Sequence, residues 1–243
     1  MMISIVIFTY KRLDKLNKCL KSIESSSIKE ILIFNDDENQ ILNTNMLDID
    51  PAIVQLIRIF NPQDFGFNDR AFRKPIYLNK SVKLAKTDTI LFSDDDGIFY
   101  KNAIGRHVKA LEKNVFCAGA IIKGTFLNRQ SKSILQGTNY SFQKHFFYTV
   151  GGYDEAFVNS NGSGDVDFWY RIYNIAKNEN YPVAFLQKAI QKVAKRSQRK
   201  KNDLRMNPRD YTLKKHNLQI QGPMYKWFPN IRNKKQWMNI INE

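Results

Sequence analysis

The chain has 243 residues, 43% hydrophobic and 25% charged, an ordinary globular composition that excludes a disordered chain and is long enough to bury a core without staples. Lys and Arg outnumber Asp and Glu 38 to 23, and the excess is lopsided: residues 188–243 carry a net +12, the first 187 only +3. Two cysteines, Cys19 and Cys117, are too few for a disulfide framework and fit a reducing, cytoplasmic setting, and no run of about 18 apolar residues reads as a membrane span.

The opening stretch Ile3 to Phe8 is a β-branched run that predicts a buried central strand rather than a signal peptide. Leu13, Leu16, Leu20 and Ile23 follow at helical spacing. Glu30 to Phe34 predicts a second strand and Ile53 to Ile59 a third, with the loop from Asn39 to Asp50 between them expected to be poorly ordered. A helix is expected from about Pro75 to Ala85, and a fourth strand from Thr89 to Phe92, ending in three aspartates. This alternation predicts an α/β domain with a mostly parallel sheet. In such sheets ligands bind at the carboxyl ends of the strands. Polar clusters stand at three of those ends: Thr9 to Arg12, Asn35 to Glu38, and Ser93 to Gly97.

Beyond Gly97 the pattern predicts a helix over Asn102 to Lys113, a strand over Val115 to Lys123, and a mixed aromatic stretch over Ser141 to Val150. A helix is expected to begin near Gly164, with Asp165 and Asp167 in its first turn, and an amphipathic helix with a broad basic face over Leu186 to Arg199. Of the histidines, His107 is expected on a helix surface and His145 among Phe142, Phe146 and Phe147.

Three consecutive acids repel one another, and such clusters are commonly relieved by cations. SDDDG therefore reads as a divalent-cation site shared with a phosphorylated substrate. It reads equally as a solvated turn, because Asp favours turns. Its place at the carboxyl edge of the sheet favours the first.

The motifs in order resemble those of nucleotide-sugar glycosyltransferases of the GT-A fold, family 2. SIVIFTYKR from Ser4 is similar to the family's opening strand, and LNKCLKSI from Leu16 to the helix that follows it. NDDE from Asn35 stands for a D-D-G-S strand end, Asp94-Asp95-Asp96 for the D-x-D metal motif, and GGYDEAF with Gly164-Asp165-Val166-Asp167 for the late G-G-F-D-E-x-F and G-E-D-x-D elements. Phe8, Asn35, Asp37, Glu38 and Gly164 depart from the family pattern. The resemblance spans roughly residues 3–175 and implies a GT-A (Rossmann-like) domain over 1–187, with a basic, partly helical extension over 188–243.

What the resemblance implies is transfer of a hexosyl unit, with inversion, from a nucleotide-diphosphate sugar (a UDP-sugar first) to a glycan or glycolipid acceptor in surface-glycan synthesis. Thr9, Tyr10, Arg12 and Asp36 would form the nucleoside group, with Arg73, Asp94 and Asp95 also on the donor. One of Arg70, Arg73 and Lys74 would reach a phosphate. Asp96 would hold Mn²⁺ or Mg²⁺, with His216 as an additional ligand recruited from the C-terminal part. Asp165 would be the general base, although an Asp there also reads as a helix cap. The basic tail reads either as a surface for anionic lipid headgroups, giving peripheral contact with the inner face of a membrane, or as a solvated extension packing through Trp227, Phe228 and Trp237. A nucleic-acid-binding protein and a sugar nucleotidyltransferase are the rivals. No nucleic-acid motif is present, and the first loop lacks the glycine-rich character of the second.

Overall fold

A computed structural model describes residues 1–67, 72–123, 137–158, 164–193 and 215–216. In chain order the elements are β1 (Ile3–Thr9), α1 (Leu13–Lys21), β2 (Ile28–Asn35), α2 (Pro51–Val54), β3 (Ile57–Phe60), α3 (Lys74–Leu84), β4 (Thr89–Asp94), β5 (Gly97–Phe99), α4 (Ala103–Leu111), β6 (Phe116–Lys123), β7 (Tyr140–Gln143), α5 (Lys144–Thr149), α6 (Gly164–Asn178) and β8 (Val183–Val193). They form one sheet in the order β3-β2-β1-β4-β7-β6-β8-β5.

β1 is buried along its whole length, and its alternate residues enter two different cores. Ile3, Ile5 and Ile7 meet Leu16, Cys19 and Leu20 of α1 and the apolar side of α4. Val6 and Phe8 meet Tyr77, Leu78 and Val82 of α3, Phe146 and Phe147 of α5, and Phe168, Trp169 and Ile172 of α6. A sheet covered on both faces needs apolar residues at every strand position, which is why β1, β2 and β4 read as continuous apolar runs rather than alternating ones. Both cysteines are fully buried, Cys19 in α1 and Cys117 in β6.

The sheet is mostly parallel, as expected: β3, β2, β1 and β4 are parallel neighbours and β6 runs parallel to β8, while β7 is antiparallel to both β4 and β6, and β5 to β8. Several other expectations from the sequence change here. The expected third strand begins as a helical turn, because Asp50 accepts the Ala52 N–H at 2.8 Å and Pro51 takes the first helical position; only Ile57–Phe60 is strand. The 39–50 loop is held in place, with Leu42 and Leu47 buried and Asn61 bonding both the N–H and the carbonyl of Leu42.

The helix expected from Leu186 is a strand as far as Val193. Ala189, Gln191 and Val193 point inward at a period of two, and β6 and β5 pair with β8 from either side. That strand crosses residue 187, so the sheet continues into the start of the basic segment. The residues 194–199 of the expected helix, and most of the basic extension with Trp227, Phe228 and Trp237, lie outside the described residues.

His145 is exposed, whereas His107, expected at a surface, is fully buried in α4. Its Nδ1 lies 2.8 Å from Ser141 Oγ and its Nε2 3.1 Å from Asn139 Oδ1, so α4 is tied through polar bonds to the strand it covers. Burial lowers the His107 pKa to about 4. The folded protein thus refuses a proton that the unfolded chain accepts near its ordinary pKa of about 6.5. As pH falls from about 6.5 to about 4, this group removes stability, on the order of 3 kcal/mol in all. His107→Gln keeps polar ring partners but cannot titrate. Urea unfolding across that window should show the wild type losing stability more steeply than the variant; parallel slopes would mean that His107 is not held neutral.

Candidate active site

Parallel pairing sets the ends of three strands side by side. Thr9 is opposite Asn35 in the β1–β2 register, and Phe8 is opposite Asp94 in the β1–β4 register. The Asp36 N–H donates to the Thr9 carbonyl at 2.9 Å, which carries the alignment one residue past the strand ends. The polar clusters at these ends therefore share one edge.

Asp94, Asp95 and Asp96 are all buried there; Lys74 serves the first, and Arg12 serves the other two. Lys74, at the start of α3, pairs with Asp94 and also donates to the Gly137 carbonyl at 3.0 Å. Asp95 Oδ2 accepts from Thr9 Oγ1 at 2.8 Å and from Arg12 Nε at 3.0 Å, while a second Arg12 nitrogen pairs with its Oδ1. Arg12 also reaches Asp96 Oδ2 at 3.2 Å. Burial pushes the Asp95 pKa up to about 6, with Arg12 and Thr9 opposing the rise and the flanking acids adding to it. Asp96 Oδ1 is buried and finds no hydrogen-bond donor among the described residues.

That orphaned oxygen decides whether a divalent cation fits. No group of three metal-ligating side chains occurs among the described residues. Mg²⁺ characteristically takes one or two carboxylates plus substrate phosphates, so a single free carboxylate oxygen at a substrate edge is a fitting donor. Asp96 is the residue that offers it.

Asp36 is held differently. Its Oδ1 accepts from the Arg73 guanidinium at 2.9 Å and its Oδ2 from the Arg73 backbone N–H at 3.1 Å. Both side chains are about as buried as the core, and Arg73 lies over the Phe67 ring. Burial pushes the Asp36 pKa up to about 6 against the pull of Arg73. Arg73, one of the three residues expected to offer a phosphate contact, is paired with Asp36, whereas Lys74 is paired within the acid cluster, on Asp94. Tyr10 lies on the rim, over a third exposed, with Lys11 above its ring. Arg70 lies outside the described residues.

Asp165 sits in the first turn of α6 and accepts the N–H of Val166 at 3.0 Å. A Cβ added at Gly137 would lie 3.2 Å from Lys74 Nζ and 3.6 Å from Asp165 Oδ2. Gly137 is therefore the thin partition between the expected base and the Lys74–Asp94 pair. Asp167 faces elsewhere, fully buried among Arg171, Lys215 and His216. Burial alone would raise its pKa, but Arg171 and then His216 and Lys215 hold it below the usual carboxylate range. His216 Nε2 is 2.8 Å from Asp167 Oδ1, so the structure sets it on Asp167 rather than on Asp96.

Thr138 and Gln191 were not singled out by sequence. They bond around the backbone of Asp94, and their partners are 44 and 98 residues away in the chain, beyond any local pattern.

A mixed sheet with helices on both faces and an acid cluster at the end of β4 is the arrangement expected of a glycosyltransferase of the GT-A fold, and the family match agrees. The model of "Glycosyl transferase family 2" matches residues 4–173, and the chain belongs to that family. Among solved structures, the fold is similar to the crystal structure of S. aureus TarS 1–349 in complex with UDP-GlcNAc, with a TM-score of 0.66 at 12% identity, covering 96% of this chain and 73% of that one. No curated protein sequence matches this chain.

The Arg73–Asp36 pair gives a direct stability test. Removing one partner leaves an uncompensated buried charge, which costs about 3–5 kcal/mol. Arg73→Ala should lose stability on that scale in urea unfolding. Adding Asp36→Asn should recover much of it; a double variant no more stable than Arg73→Ala would show that lost packing on Phe67 dominates.

Proposed function

We propose that this protein transfers a sugar from a UDP-sugar to a hydroxyl of a glycan or glycolipid acceptor, with inversion at the anomeric carbon and with Mn²⁺ or Mg²⁺ on Asp96. The observation that carries the reading is that Asp165 and the Lys74–Asp94 pair of the acid cluster both adjoin Gly137. That is the spacing of tasks the reaction needs: an acid cluster for the leaving diphosphate, and a carboxylate for the incoming hydroxyl. The TarS complex with UDP-GlcNAc supports a uridine donor, and Thr9, Tyr10, Arg12 and Asp36 are the residues we assign to the nucleoside.

Asp165 takes the proton of the acceptor hydroxyl. The freed oxygen pair attacks the anomeric carbon from the face opposite the diphosphate, whose bond breaks as the new one forms. A bound divalent ion supplies Lewis-acid neutralisation of the departing diphosphate. Arg12 and Lys74 keep the neighbouring carboxylates from repelling that diphosphate, because each is already paired. Anionic membrane contact through the basic segment beyond residue 187 is supported by its charge count, at about 1 kcal/mol per basic residue near such a surface. No helix among the described residues is long and apolar enough to cross a membrane.

Two measurements test the reading. Excess chelator should abolish transfer, and Asp96→Ala should sharply weaken UDP binding in Mn²⁺; full activity in chelator would refute the ion's role. Asp165→Asn keeps the shape and the bond to Val166 but cannot take a proton. It should stay folded, bind UDP like the wild type and lose turnover by at least about 10²-fold, the usual worth of general-base catalysis. Near-normal turnover in this variant would leave Asp165 as a helix-end residue only. The product also discriminates: UDP is released here, whereas a nucleotidyltransferase would release pyrophosphate.

A further inference from the structure

The peptide groups of Asp94 are closed into a ring by the neighbouring Ser93 side chain and by two side chains from distant segments, Thr138 and Gln191. The Asp94 N–H donates to Thr138 Oγ1 at 2.9 Å. Thr138 Oγ1, having accepted, donates to Gln191 Oε1 at 2.7 Å. Gln191 Nε2 donates to Ser93 Oγ at 2.7 Å, and Ser93 Oγ donates to the Asp94 carbonyl at 2.9 Å. Every donor points the same way round, so each bond polarises the next. All four members are buried, Gln191 completely.

The ring is possible because of what holds Gln191. Its strand, β8, pairs on one side with β6, where Gln191 is opposite Ile121, and on the other with β5, where it is opposite Phe99. The amide then lies where a Cβ on Gly97 would be, 2.2 Å from Nε2 and 2.4 Å from Cδ. This is not the loose end of a flexible side chain, since both ends of the amide are bonded. The glycine that closes SDDDG is thus the space that Gln191 occupies. Thr138 also adjoins Gly137, whose carbonyl holds Lys74, and Asn139, whose side chain His107 and the carbonyls of Ala120 and Ala189 fix.

We propose that Gln191, acting through Thr138 and Ser93, is a positioning residue that fixes the acid loop for binding the diphosphate end of the donor. Ser93 to Gly97 leaves β4 and re-enters the sheet as β5 within a few residues, and the direction of the three carboxylates depends on the Asp94 peptide. A side chain with a donor and an acceptor on one rigid plane serves, through Thr138 and Ser93, the two peptide groups that flank the Asp94 Cα at once. The inference rests on the donor reading above. Groups that orient an ion's ligands from one bond further out are typically worth about 10–100-fold in affinity.

The test measures UDP binding in saturating Mn²⁺ by titration calorimetry, on the full chain. Thr138→Val is nearly isosteric and removes the hydroxyl; Gln191→Asn keeps the amide but is too short to reach both partners. Each should weaken UDP binding by about tenfold or more. Thr138→Ser, which retains the hydroxyl, should restore it. Cys117→Ala, buried in β6 and outside the ring, should lower the melting temperature without changing UDP affinity. Wild-type affinity in both folded Thr138→Val and Gln191→Asn would overturn the ring's role, as would Thr138→Ser binding as poorly as Thr138→Val. A wild-type protein that binds no UDP would overturn the donor reading itself, and the inference with it.

Discussion

Three adjacent carboxylates buried at the end of one strand impose the constraint that organises this molecule. Burial disfavours their charge, and their proximity compounds the cost. The fold answers with fixed cations from two different elements: Arg12, at the entry to α1, bridges Asp95 and Asp96, and Lys74, opening α3, takes Asp94. Asp96 Oδ1 is left without a donor among the described residues, and Asp95 Oδ1 has only its ion pair with Arg12. An edge compensated almost but not fully is suited to receive an ion together with its anionic ligand, since neither the bare cluster nor a saturated one would do so.

The two cores serve that edge. On one face α1 and α4 pack on the odd-numbered residues of β1; on the other α3, α5 and α6 pack on the even-numbered ones. The second core is heavily aromatic, with Phe92, Phe116, Tyr140, Phe142, Phe147, Tyr153, Phe168 and Trp169 in mutual ring contact. These large rigid side chains seat the first turn of α6 against β7, and so determine where Asp165 stands. Tyr140 and Tyr153 bond through their hydroxyls inside this cluster, which satisfies both polar ends without water.

The parallel half of the fold and the acid edge were legible because they are written locally. A short, unbroken run rich in β-branched residues favours a strand buried on both faces, and three acids after such a run mark its end. The rest was written across distance. Leu186 to Val193 shows apolar residues that suit either a helical stripe or a two-residue alternation, and only the presence of β6 and β5 on either side decides for the strand. His107 reads as a surface residue of an amphipathic helix until Ser141 and Asn139 arrive to satisfy it. Arg73 and Lys74 are neighbours with similar chemistry, and nothing local says that the first is locked on Asp36 and the second on Asp94. Gly97 was the single local trace of Gln191, as a missing side chain beside three acids.

Both cysteines are sealed in the interior, and burial raises each thiol's pKa far above neutrality, leaving almost no thiolate at working pH. The native chain is accordingly silent toward maleimides and mild oxidants while it stays folded. A single cysteine introduced on the exposed surface, at Tyr148 on α5 or at Ile98 on β5, would be the sole reactive thiol in the molecule. A fluorophore or spin label at Ile98 would report beside the acid loop, and one at Tyr148 on the helix that follows β7, with no background cysteine to remove first.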